Sequence, residues 1–529
     1  MGLGNAEVLS AVRKSRLKAV LQIGFACLLL GSSLTVAEER LEKLSAEQLR
    51  MAASSNSQQA IAFYREFLSL PNDANHPDEI AALNRWVVQA FAERGFDARL
   101  LPTAGSPSVY AERLSEGATK TVLIYLQADG QPVDPSAWEQ ASPYEAVLKA
   151  EDPDEGTWQP INWDLTHIRL HPDWRIFARS ASDSKGPMTQ FLFAVELLSE
   201  VKPDLGYNLK VLVDTEEELG SPNLADAVRA HSDLLAADML LIFDGPPHAS
   251  NGPTVTLGAR GIATVTLTTY GPKMAQHSGH YGNFMPNPAL ALAQILASMK
   301  DTDGVVAIEG FYDGVELDEA TREVLAAVPD DEDEILGSVG LIRSDKVAAS
   351  LQESIQYPSL NIRGLSAGWT GSASRTIIPP EAVAEIDIRL VMESDANRLI
   401  QLVRLHVEGL GYTVLDHAPN DEERLSHERI VSMTHSVSYG AFRSDPDSPP
   451  ALMARAGMRH LYGEEPILIR TMGGSIPIAP IIEALGIPAA TVPTVNIDNN
   501  QHSPNENLRV GNFIEGIAIL MAVLQEMPR

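Results

Sequence analysis

The 529-residue sequence contains a single cysteine, Cys27, and it lies within the first 37 residues. If that segment is removed, as expected below, the mature chain has no thiol. Disulfides, a cysteine nucleophile and cysteine-ligated zinc are then excluded. Any bound metal must be held by His, Asp and Glu. Positive charge is also scarce. The 40 Lys and Arg against 70 Asp and Glu give a formal charge of −30, which opposes nucleic acid or anionic membranes as partners. Past the N-terminus no apolar run approaches the ~20 residues that a membrane span needs. Internal repeats and low-complexity tracts are absent too. A hydrophobic content of 44% with 21% charged residues describes a soluble globular protein, and the length exceeds one ordinary core, so two domains are expected.

The N-terminus is different in kind. Arg13, Lys14, Arg16 and Lys18 precede the apolar run Ala19 to Leu30, and small residues follow up to Thr35-Val36-Ala37. A basic start, a short apolar core and a small-x-small exit are the marks of a secretory signal. Residues 1–37 are therefore expected to be a signal peptide cleaved near Ala37, giving an exported protein, periplasmic or secreted.

Residues 45–69 and 76–94 have helical periodicity. Short β-rich runs follow, Thr121 to Leu126, Leu209 to Val213 and Met239 to Phe243, with helical segments near 185–201 and 222–236 between them. Apolar strands alternating with helices imply an α/β domain with a buried, mainly parallel sheet. Chemistry in such sheets gathers at the carboxyl ends of strands. There the chain places Gln127 and Asp129, Glu216 to Glu218, and Asp244. From about 254 the strands alternate apolar and polar residues, with helices near 287–299 and 394–410. This pattern suggests an inserted α+β domain over 254–420. The catalytic domain is then 48–253 plus 421–529. The acidic run Pro329 to Glu334 reads as a solvated loop.

Individually, the polar positions have ordinary explanations. Asp183, in a polar turn before a helix, is a cap or a ligand. Glu216, Glu217 and Glu218 repel one another, which a bound cation or a solvated turn would relieve. Asp244 suits a turn, and His502 lies in a polar loop before the last helix. Together they form a set of strand-end and loop groups whose hard carboxylates and imidazole suit Zn²⁺ or Mn²⁺.

These motifs resemble the co-catalytic metallopeptidase family that contains carnosinase, bacterial dipeptidases, aminoacylase and glutamate carboxypeptidase. The resemblance runs from about residue 48 to the C-terminus. It implies that Asp183, in Arg179-x-x-x-Asp-x-Lys-Gly186, bridges two metals, and that Glu217 is the general base. Glu218, Asp244 and His502 are the further ligands it implies. His277, in His-Ser-Gly, would reach the active site of a partner subunit, making the inserted domain a lid and a homodimer interface. Arg389 would hold the substrate carboxylate, Gly474 and Ser475 the substrate loop, and Thr376 a lid position near the metals. Asp244, together with Gly310-Phe-Tyr-Asp313, resembles the dipeptidase branch.

One position departs from this pattern. The family's His-x-Asp is here Gln127-Ala-Asp129. An amide oxygen is a weaker zinc ligand than imidazole. Gln127 is expected either to aim that oxygen at a metal and donate to Asp129, or to leave a metal lost or exchangeable. A third option is replacement by another group, and His167 and His171 lie in the long segment 134–175. The resemblance implies one or two Zn²⁺ ions, with Mn²⁺ possible, and hydrolysis of a peptide bond in dipeptides or short peptides. Two alternatives stand beside it: an N-acyl-amino-acid amidohydrolase, and a catalytically impaired binding protein.

Overall fold

The structure is a computed structural model that describes residues 43–529. The expected signal segment 1–37, with Cys27, lies outside the described residues.

The first helical stretch divides in two, Ala46–Ser55 and Ser57–Leu68. Ser45 and Gln48 close a capping box at its start, which satisfies donors that a helix end leaves orphaned. Asn56 ends the first helix, its side-chain amide donating to the Ala52 carbonyl. Pro77–Ala92 follows, with proline at its first turn and Asp78 and Glu79 beside the positive end of the dipole.

An eight-stranded sheet carries the catalytic half. Its strand order is Asp97–Leu101, Ser108–Arg113, Asn208–Asp214, Thr121–Gln127, Met239–Ile242, Ala489–Thr491, Thr254–Thr256 and Ile467–Ile469. The four central strands run parallel, while antiparallel pairs lie toward both edges. The sheet is thus mixed, with its parallel part at the centre and a further parallel pair, Thr254–Thr256 with Ile467–Ile469, at one edge. Val122, Ile124 and Leu126 of the central strand are wholly buried, each contributing ~1.5–3 kcal/mol. They share a core with the helix Gly186–Val201 and the last helix, Val510–Leu524.

The inserted domain has its own core and a five-stranded sheet in the order Ser359–Ser366, Glu381–Leu390, Gly261–Tyr270, Ile430–Tyr439, Thr413–Leu415. Gly261–Tyr270 alternates buried and half-buried residues throughout, as one covered face requires. The helices Pro288–Met299 and Ala396–Gly409 cover that face. Strand pairing moves the expected boundaries. Thr254–Thr256 belongs to the catalytic sheet, and Ile430–Tyr439 pairs along Gly261–Tyr270. The insert's sheet therefore spans 261–439 rather than 254–420.

The acidic run is not a plain loop. Asp331 caps a helix, Glu332–Ser338, and Asp330 meets His248 Nε2 at 2.9 Å. Among the described residues no helix is long and apolar enough to cross a membrane.

Candidate active site

The parallel strands deliver the site. Gln127 is the last residue of Thr121–Gln127, in register with Asp214 on the neighbouring strand. Glu217 and Glu218 lie in the turn after that neighbour, and Asp244 follows Met239–Ile242 by two residues. Asp183 occupies an irregular turn between the strand Arg175–Phe177 and the helix that starts at Gly186-Pro187. It makes no capping bond to that helix, so its position has another reason.

That reason is convergence. His502 Nε2 lies 3.0 Å from Asp183 Oδ2 and 3.5 Å from Glu218 Oε2. One ligand atom each from Asp183, Glu218 and His502 fall within 4.8 Å of one another. On the other side of Asp183, Gln127 Nε2 donates to Oδ1 at 2.5 Å. Ser184 Oγ donates to Asp244 Oδ1 at 2.5 Å. Gln131 Nε2 donates to Glu218 Oε2 at 2.7 Å, and the Glu218 backbone N–H donates to Asp129 Oδ2 at 3.0 Å.

Such crowding is electrostatically expensive. Burial, and then Asp183, push the Glu218 carboxyl up to about 9 and Asp244 up to about 7. Burial, and then the neighbours Asp183, Glu218 and Asp244, also raise Glu217 well above the usual carboxylate range. The hydrogen bond with Asp183 raises His502 to about 9. Burial, and then Asp214, raise Asp129 to about 8. A divalent cation would reverse most of these shifts. Two carboxylates and an imidazole, each with an atom free to turn inward, form a donor set that fits one.

Beside this cluster lies Glu506, 1% exposed. Its oxygens accept from the backbone N–H groups of Ser180, Ser182 and Asp183, from Ser182 Oγ, and from Arg179 Nη1 at 2.8 Å. This cradle fixes the turn that carries Asp183. Gly130 packs against the same turn, where any Cβ would collide with Ser180 Oγ.

A second cluster bridges the two domains. Arg389, on Glu381–Leu390, donates from Nη1 to Ser475 Oγ at 2.6 Å. Arg260 holds the same loop by donating to the carbonyls of Gly473 and Gly474. Burial, and then Arg389, lower Arg260 to about 10. Burial, and then Glu217, raise the Tyr439 phenol to about 12, and Arg389 opposes that rise. Tyr439 therefore feels both clusters. A guanidinium next to a hydroxyl, a short way from a proton acceptor, suits a ligand with a carboxylate beside a hydrolysable bond.

Residues 257–412 match the peptidase dimerisation domain of the M20 peptidases. The chain is 28% identical over 428 residues to the Cys-Gly metallodipeptidase dug1 of Schizosaccharomyces pombe, covering 80% of this chain and 83% of that protein. It is 27% identical over 432 residues to the human Beta-Ala-His dipeptidase, covering 80% and 78%. Its fold matches an M20 metallo-carboxypeptidase from Sulfolobus solfataricus with a TM-score of 0.72 and 28% identity, over 88% of this chain and 98% of that one. The chain is similar to M20 metallopeptidases along most of its length.

Beside these similarities, the geometry at Gln127 stands out. Of the arrangements open to Gln127, donation to Asp129 is not the one found: the amide donates to Asp183. Gln127 Oε1 and Asp129 Oδ1 are both buried without a partner. His167 and His171 do not replace the missing imidazole. His167 is exposed at the end of a short turn, and His171 pairs with Asp173. His277 and Thr376 sit together on the inserted domain, where Ser278 N–H donates to the Thr376 carbonyl and the His277 ring lies tilted 4.6 Å from that of His280. His277 is exposed, and neither residue bonds the carboxylate cluster of its own chain among the described contacts.

Sequence reasoning missed Glu506, Gln131, Arg260 and Tyr439. Glu506 lies four residues after His502 and Gln131 four after Gln127, so proximity to motif residues was the available signal. Nothing local marks Arg260 or Tyr439, because their role comes from the closure of one domain on the other.

Proposed function

We propose that this chain is an exported dipeptidase that hydrolyses the peptide bond of dipeptides or short peptides, with zinc as its cation and manganese as a possible substitute. The observation that carries the reading is the pairing of the Asp183, Glu218 and His502 cluster with the Arg389–Ser475 contact across the domain junction. Export is supported by the basic, apolar and small-residue order of residues 1–37.

A cation held by Asp183, Glu218 and His502 would polarise the scissile carbonyl and acidify a water molecule. Glu217 stands beside them as proton acceptor. A carboxylate beside the cation-binding set can accept a proton from water acidified there. It takes one proton from water as the oxygen bonds to the carbonyl carbon. It then returns that proton to the departing amine as the C–N bond breaks. Arg389 and Ser475 anchor the C-terminal carboxylate, and this fixes the distance from that end to the reacting bond. The exposed His277 would serve the site of a second copy, as an oxyanion donor in a homodimer.

The test is a hydrolysis panel of dipeptides and N-acyl amino acids, with Zn²⁺ and with Mn²⁺. Turnover of dipeptides is expected. Turnover of N-acyl amino acids alone would make the chain an amidohydrolase, and no turnover of either would leave a binding protein.

A further inference from the structure

The two oxygens of Asp183 face unlike surroundings. Oδ2 faces His502 Nε2 and belongs to the three-ligand cluster with Glu218. Oδ1 accepts from the Gln127 amide at 2.5 Å and from Ser184 Oγ at 3.2 Å. The remaining acidic residue on that flank, Asp244, accepts from the same Ser184 hydroxyl. The flank is thus occupied by neutral hydrogen-bond donors. We propose that the Gln127 carboxamide takes the place of one of two cations, so that this chain binds a single ion, on Asp183, Glu218 and His502.

The chemistry of the amide supports the exchange. Its nitrogen has no available lone pair and cannot ligate a metal, but its N–H groups donate to a carboxylate. Pointed at Asp183, it offsets part of that charge as a cation would. Only the amide oxygen can ligate, and turning it inward would set two oxygens against each other at hydrogen-bond distance unless a cation lay between them. The two arrangements therefore exclude one another. Gln127 is 3% exposed, so water cannot easily moderate the choice. Its Oε1 and the Asp129 Oδ1 two residues on are left without partners. An imidazole in this position would ligate through one nitrogen and offer an N–H from the other to a carboxylate. The amide keeps an N–H for a carboxylate, but by spending it on Asp183 it presents no ligand atom on that side.

This inference rests on reading the cluster as a metallopeptidase centre, and its test keeps the two apart. The full chain is stripped with chelator, re-equilibrated with excess Zn²⁺ or Mn²⁺, desalted, and its metal counted by elemental analysis and native mass spectrometry. The expected count is about one ion per chain for the natural sequence and about two for Gln127→His. Gln127→Glu, nearly isosteric, also supplies a charged ligand and is expected to raise the count if the imidazole does not fit. Two ions of similar affinity in the natural sequence would overturn the proposal. So would a count that stays at about one in both folded variants. An absence of any bound ion would overturn the metallopeptidase reading itself.

Discussion

The two flanks of Asp183 are built from different chemistry on the same scaffold. One flank brings a carboxylate, Glu218, and an imidazole, His502, to one oxygen. The other brings an amide, a hydroxyl and a second carboxylate to its twin. Glu218, Gln127 and Asp244 come from strand ends of one sheet, and both flanks meet on the same Asp183 turn. The difference lies in side chains alone, and it teaches that a shared fold can keep a site's shape while its charge balance changes. One residue, Gln127, turns a place for a cation into a hydrogen bond.

The largest expected effect belongs to the proton acceptor. Glu217→Gln should lower kcat on a dipeptide by roughly 10²–10⁴-fold, the usual size of a general-base contribution, while the metal content stays unchanged. Loss of metal along with activity would move Glu217 into the ligand set and break the division between the flanks.

Next comes the support they share. Glu506→Ala would leave Arg179 charged and buried, and the turn N–H groups without an acceptor. Breaking such a pair costs about 3–5 kcal/mol, to be read from the denaturant midpoint. An unchanged midpoint would mean that the Asp183 turn holds itself in place.

Arg389→Met is expected to raise KM for a dipeptide by about 10–100-fold with little change in kcat, because a charged hydrogen bond is worth ~1.5–3 kcal/mol. A dipeptide amide, which lacks the carboxylate, should barely notice the change. Equal losses on both substrates would make Arg389 a structural tie to Ser475.

The smallest effect is expected on the neutral flank. Gln127→Ala supplies no ligand and removes none from the three-residue cluster, so metal content should remain at about one ion per chain. A fall in bound metal would make the amide oxygen a ligand after all.

Much of this molecule is readable in its sequence. The central strands are apolar runs that close on acidic residues, and Asp183, Glu217, Glu218, Asp244 and His502 all lie where those runs and loops place them. Alternation along Gly261–Tyr270 marked the insert as a second layered unit. Its edges were harder to see. Ile430–Tyr439 pairs with a strand about 170 residues earlier, and pairing partners leave no local periodicity. The direction of the Gln127 amide was equally hidden, since it depends on which of two carboxylates lies closer after folding. The role of Glu506, though it lies four residues after His502, was hidden for the same reason. Its partners, Arg179 to Asp183, are more than 300 residues away along the chain.

The most direct test of the one-cation account is a crystal structure of the zinc-loaded protein, with anomalous diffraction collected at the zinc edge. The account predicts one strong peak, between Asp183, Glu218 and His502, with the Gln127 amide nitrogen still on Asp183. A second peak of comparable strength between Asp183 and Asp244, with the Gln127 oxygen turned toward it, would contradict it.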